Sequence, residues 1–131
     1  MKRLANLFSL FILAVWLAAC GGGPEPAALS FDGEDTFKFT PASATVAAGA
    51  EVTVTLNNKG ALAHSWTLLA AGVDPTTATD ANAIGGATTG EVAAGTSKSI
   101  TFTAPAAGTY TFVCTVPGHA AGGMVGTLTV Q

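Results

Sequence analysis

The chain has 131 residues, 49% of them hydrophobic and only 10% charged, with a formal net charge of -3. That length holds one domain with a single core, so a second domain is not expected. The sparse charge excludes an acidic or basic tail protein and points to a compact, weakly charged module.

The amino terminus reads as an export signal. Lys2 and Arg3 supply the positive start, and Leu4 to Leu17 form an apolar run interrupted only by Asn6 and Ser9. The run is short of the roughly 20 apolar residues that a membrane-spanning helix needs. It ends in Leu17-Ala18-Ala19-Cys20, which resembles the lipobox of bacterial lipoproteins. Residues 1–19 are thus expected to be removed, and Cys20 to become a lipidated amino terminus. An uncleaved anchor is the alternative, and either form tethers the domain to a membrane facing the periplasm or the cell exterior. Without Lys2 and Arg3 the net charge becomes -5 and the cations are Lys38, Lys59 and Lys98, which argues against nucleic-acid binding.

Gly21 to Pro26 carry almost no side chain to bury, so residues 20–35 are read as a lipidated start and flexible linker, and 36–131 as the folded domain, its first ordered residues falling between Leu29 and Phe37. From there the pattern is one of short Val-, Thr- and Phe-rich segments broken by Gly, Pro and Asn, which predicts an all-β sandwich or barrel. Strands are predicted at Thr36 to Thr40, Ala44 to Ala47, Glu51 to Asn57, Ser65 to Leu69, Lys98 to Thr103, Gly108 to Cys114 and Val125 to Val130. Seven or eight strands make two packed sheets. Val52, Val54 and Leu56 alternate onto one face, and Val125, Leu128 and Val130 suggest similar half-burial. Residues 70–95 are weakly patterned and read as a long connection holding one helical turn or an edge strand.

The chemistry concentrates in Cys114-Thr-Val-Pro-Gly-His119-Ala-Ala-Gly-Gly-Met124. Thiolate, imidazole and thioether on one loop suit copper, because sulfur favours Cu(I), imidazole binds both oxidation states, and a weak thioether completes a blue-copper set. The other histidine, His64, follows the turn at Asn57 to Gly60 and supplies the remaining ligand. With Cys20 lipidated, Cys114 has no disulfide partner in an exported protein, which a metal would explain. Trp66, Phe102, Tyr110 and Phe112 are read as core, and Asp32, Glu34, Asp35, Asp74, Asp80 and Glu91 as solvated surface.

These residues resemble the cupredoxins, and among them the auracyanin-like members, whose carboxyl-terminal loop also runs Cys, four residues, His, four residues, Met. The likeness extends to Phe39-Thr-Pro41, Asn57-Asn58 before His64, His64-Ser65-Trp66, Gly108-Thr-Tyr110 and Met124-Val-Gly126-Thr-Leu128. It implies a Greek-key β-sandwich and places copper ligands at His64, Cys114, His119 and Met124. One departure is Ser65, where the family often has an Asn that ties the two ligand loops together.

The resemblance implies a monomeric carrier of single electrons, with one copper cycling between Cu(II) and Cu(I). Its partners would be a cytochrome or quinol-oxidising complex on one side and a photosynthetic reaction centre or respiratory oxidase on the other. The edge of His119 would reach the surface among Pro117, Gly118, Ala120 and Ala121, widened by Ala61 to Ala63. A multicopper enzyme needs more histidines than the two present, so catalysis is not expected. Copper storage or delivery, a zinc site, and a metal-free immunoglobulin-like surface lipoprotein are the competing readings.

Overall fold

A computed structural model describes residues 21–131; the expected signal segment and Cys20 lie outside the described residues. Among the described residues nine strands form two sheets. In chain order they are β1 (Ala27–Glu34), β2 (Lys38–Thr40), β3 (Ser43–Val46), β4 (Glu51–Asn58), β5 (Thr67–Leu69), β6 (Ala83–Thr88), β7 (Ser97–Thr103), β8 (Gly108–Val113) and β9 (Val125–Val130). One sheet runs β2-β1-β4-β7 and the other β3-β9-β8-β5-β6. Among the described residues no helix is long and apolar enough to cross a membrane.

All seven predicted strands are present within a few residues, and the two additional ones have clear physical origins. β1 occupies most of the segment read as linker, so the folded domain begins at Ala27 and not at residue 36. Only one face of β1 is fully buried, through Phe31 and Gly33, and its remaining residues apart from Leu29 are small or polar, which masks the strand signal. It pairs in parallel with β4, from Ala27 opposite Val52 to Gly33 opposite Asn58, and antiparallel with β2. β6 lies at the edge of the second sheet, pairing with β5 through a register irregularity. The 70–95 connection therefore holds both features proposed for it, because a short 3-10 turn (Asp80–Asn82) precedes β6.

The core lies between the sheets. Val52, Val54 and Leu56 of β4 are buried as the alternation predicts. Phe31 of β1 meets Trp66 and Phe112 from the opposite sheet at ring-centroid distances of 5.8 and 4.8 Å, and Phe39 of β2 meets Phe112 at 5.3 Å. Such offset aromatic contacts add to simple area burial. On β9, Gly126, Leu128 and Val130 face inward while Val125 faces out, a correction to the expected pattern that follows from the two-residue period of a strand. Gly126 is required where it is: a side chain there would collide with the ring of Phe112.

Candidate metal centre

His64 stands at the close of the loop that follows β4, and its backbone is fixed from two directions. Its N–H donates to Val92 O at 3.2 Å, and Val92 N–H donates to His64 O at 2.7 Å. Buried Asn58 braces the loop from inside, donating to Leu62 O and Val92 O and accepting from Gly60 N–H. Cys114 directly follows β8, and its N–H donates to Met124 O at 3.1 Å. Met124 N–H donates to His119 O at 3.0 Å, so the loop folds back on itself before entering β9. Gly118 and Gly123, with φ of 85° and 107°, supply the turns this return needs.

The result is a cluster at one end of the sandwich. His64 Nδ1 lies 3.2 Å from His119 Nδ1, and Cys114 Sγ lies 3.5 Å from the same His119 nitrogen. All three donor atoms fall within 4.8 Å of one another. Imidazole nitrogens at about 2.0 Å and a thiolate at about 2.3 Å from one ion would sit about 3–4 Å apart. The spacing thus fits a single metal ion, and the mixed nitrogen and sulfur set fits copper.

His64, Cys114 and Met124 are essentially sealed from solvent, and His119 keeps 7% of its surface. Met124 belongs to this neighbourhood: a methyl built on Gly33 would lie 3.3 Å from Met124 Cε and 3.4 Å from His64 Cβ. Glycine at position 33 thus lets β1 approach the cluster.

Burial pushes the Cys114 thiol above its usual range, while N–H groups of Ser65 and Val116 oppose the shift. Burial, followed by the adjacent His64, holds the His119 imidazole below its usual range and therefore neutral, the form that binds metal. Among the described residues Cys114 is a free cysteine. Its thiolate would form as metal displaces the proton.

Ser65 does tie the two loops together. Its N–H donates to Cys114 Sγ at 3.3 Å, and its Oγ accepts the Thr115 N–H at 2.7 Å. The Thr115 hydroxyl donates to Asp80 Oδ1 at 2.6 Å, so the Ser65 hydroxyl is left to donate to Thr115 Oγ1 at 2.8 Å. The same Asp80 oxygen accepts the hydroxyls of Thr67 and Thr88. Asp80 is therefore a brace for the cysteine loop, not simply solvated surface.

Two further residues bear on the site: Phe37, to which the sequence assigns no role, and Asp35, read there as solvated surface. Asp35, in the turn between β1 and β2, accepts N–H groups from Ala61 and Leu62 and lies 3.0 Å from His64 Nε2. Phe37, from the same turn, packs on His119 with ring centroids 4.5 Å apart. Its φ of 58° is unusual for a bulky residue and aims the ring at that imidazole. Neither position carries a recognisable motif, because the contacts exist only once β1 has paired with β4. Phe37 also explains why His119 is more enclosed than expected. On the loops that carry the two histidines Ala61, Leu62, Pro117, Gly118 and Ala121 are exposed and apolar, with the Asp35 carboxylate beside Ala61 and Leu62.

Comparison with known proteins agrees with this centre. Residues 27–131 match the family described as copper binding proteins, plastocyanin/azurin family. The chain is 33% identical to auracyanin-A of Chloroflexus aurantiacus over 89% of its own length and 90% of that protein's. Its fold superimposes on dithionite-reduced auracyanin from Roseiflexus castenholzii with a TM-score of 0.70 and 34% identity, covering 79% of this chain and 96% of that one. Auracyanin A of Chloroflexus aurantiacus, described as a "blue" copper protein, gives a TM-score of 0.69 at 31% identity, covering 81% and 99%. With its sandwich, its clustered nitrogen and sulfur donors and these relatives, the chain belongs to the plastocyanin/azurin family of copper-binding proteins, as an auracyanin-like blue copper protein of electron transfer.

Proposed function

We propose that the chain carries single electrons through one copper held by His64, Cys114, His119 and Met124. It works at the outer face of a membrane to which Cys20 attaches it by lipid. It accepts electrons from a cytochrome or quinol-oxidising complex and delivers them to a reaction centre or oxidase, acting as a monomeric carrier and not as an enzyme. The observation that carries the reading is the convergence of His64 Nδ1, His119 Nδ1 and Cys114 Sγ at a buried end of the sandwich. Export and lipidation rest on the sequence from Lys2 to Cys20. The photosynthetic alternative draws support from a similar protein described as coming from a green thermophilic photosynthetic bacterium.

Copper, when bound, supplies a one-electron couple between Cu(II) and Cu(I). The protein's part is to limit rearrangement when that charge changes. His64 is fixed by its paired hydrogen bonds to Val92, Cys114 by its bond to Met124, and His119 by packing under Phe37. Sealing excludes water from the thiolate side. His119 also offers the route outward. Among the described residues only Trp66 Nε1 is a sealed side-chain nitrogen or oxygen without a hydrogen-bond partner. The hydrogen bonds of His119 run through Nδ1, so its Nε2 edge keeps the small solvent contact. A partner docking on the exposed apolar residues of these loops would approach that edge, and a small interface suits rapid release.

The test is visible absorption and electron paramagnetic resonance of residues 23–131 loaded with Cu(II), beside the Cys114→Ser variant. An intense thiolate-to-copper band that a one-electron reductant bleaches, and that is absent from the variant, is expected. A colourless domain that binds zinc in preference would overturn the assignment. Rapid loss of metal without a reversible couple would favour copper delivery.

A further inference from the structure

The turn between β1 and β2 places a carboxylate on the far nitrogen of a buried donor histidine. We propose that Asp35 is a positioning residue that fixes the proton and orientation of His64 and biases the centre toward its oxidised state. The inference rests on the copper reading above and adds to it a residue outside the four donors.

Three observations converge. The carboxylate is held in place before it meets the histidine: Oδ2 accepts Ala61 N–H at 2.7 Å and Oδ1 accepts Leu62 N–H at 3.2 Å. Both oxygens thus already serve as acceptors of backbone N–H groups, and a carboxylate offers a histidine nitrogen only acceptor sites. The 3.0 Å contact with His64 Nε2 therefore requires that Nε2 carry the proton, leaving the Nδ1 lone pair facing His119 and Cys114. Finally, Gly60 leaves room for the arrangement. A side chain at that position would collide with Asp35 Oδ1 and lie 3.0 Å from His64 Nε2.

A histidine ligand whose other nitrogen donates to a carboxylate has its tautomer and ring orientation fixed, as one facing water does not. The negative charge also favours Cu(II) over Cu(I), because the oxidised ion carries one more positive charge. Asp35 is 38% exposed, so solvent weakens this effect without removing it. The same loop is anchored by Asn58 through different atoms, so loss of the carboxylate leaves the loop's inner brace in place.

Two measurements on the full-length protein in detergent decide the matter. In the metal-free state, nitrogen NMR of labelled histidine should show His64 as the Nε2–H form in the wild type and as a mixture of both forms in Asp35→Ala. In the copper-loaded state, Asp35→Asn and Asp35→Ala should bind Cu(II) about 10- to 100-fold more weakly, with a smaller loss for Cu(I). Each tenfold difference between the two losses raises the reduction potential by about 59 mV. Potentials equal to the wild type in both variants, or a His64 proton that stays on Nε2 in Asp35→Ala, overturn the proposal. If the wild type itself takes up no copper, the copper reading fails, and the NMR comparison still decides the role of Asp35.

Discussion

His119 concentrates the conflict between burial and charge in this protein. An imidazole 7% exposed and 3.2 Å from a second imidazole gains a proton less readily than a free one. Its pKa is lowered from the ordinary 6.5, so below that pH the unfolded chain binds the proton that the folded chain resists. Folding stability then falls with falling pH, because stability rises with pH wherever the unfolded state holds more protons. Asp35 and Asp74, both held below the ordinary 3.8, extend the loss at still lower pH in the same direction. Denaturant midpoints of the metal-free domain should therefore decline as pH drops below about 6.5, and His119→Gln should flatten that first limb. A midpoint constant from pH 7 to 5 would contradict this account. The donor residues themselves were open to sequence reasoning, because thiolate, imidazole and thioether on one short loop are chemically informative. Asp35 and Phe37 were not, because each acts across a strand pairing that no local pattern announces.

Elements built on clean alternation were the ones read correctly. β4 buries Val52, Val54 and Leu56 in strict two-residue steps, and its limits differ from the expected ones by a single residue. β1 escaped because Ala, Ser, Asp and Gly dilute the alternation, and β6 was expected only as an unplaced edge strand because Gly85 and Gly86 occupy its middle. The connection before β6 proved structural: Asp80 gathers the hydroxyls of Thr67, Thr88 and Thr115, coupling β5, β6 and the cysteine loop. Ser65 is the inner member of this network, fully buried and bonded to Thr115 through both backbone and side chain. Ser65→Ala would strand the Thr115 N–H without an acceptor, at a cost of about 1–3 kcal/mol. The copper-loaded variant should keep its charge-transfer band, since all donor atoms remain, while its chemical denaturation midpoint falls. A variant as stable as the wild type would show that water replaces the hydroxyl without loss.

At the scale of the whole molecule, the two sheets are held together by a strand that the sequence pattern assigns to a linker. β1 lies inside its sheet, between β2 and β4, and cannot be removed like an edge strand. Phe31, fully buried, contacts Phe39, Trp66 and Phe112 and so joins both sheets. Truncating one such phenylalanine to alanine costs about 3–5 kcal/mol, against a total stability of about 5–15 kcal/mol for a small domain. A protein beginning at residue 36 loses that ring, the seven-residue pairing with β4 and the carboxylate of Asp35 together. It also leaves the N–H and C=O groups of β4 on that side without partners, and buried backbone groups of this kind are rarely tolerated. Residues 36–131 should therefore fail to fold cooperatively, whereas residues 23–131 should show a single transition and dispersed amide resonances. The comparison needs no metal, so it isolates the scaffold from the copper chemistry. A cooperative transition in the shorter chain would mean that β4 and β7 hold the sheet by themselves and that β1 serves mainly to bring Gly33 and Asp35 to the metal centre.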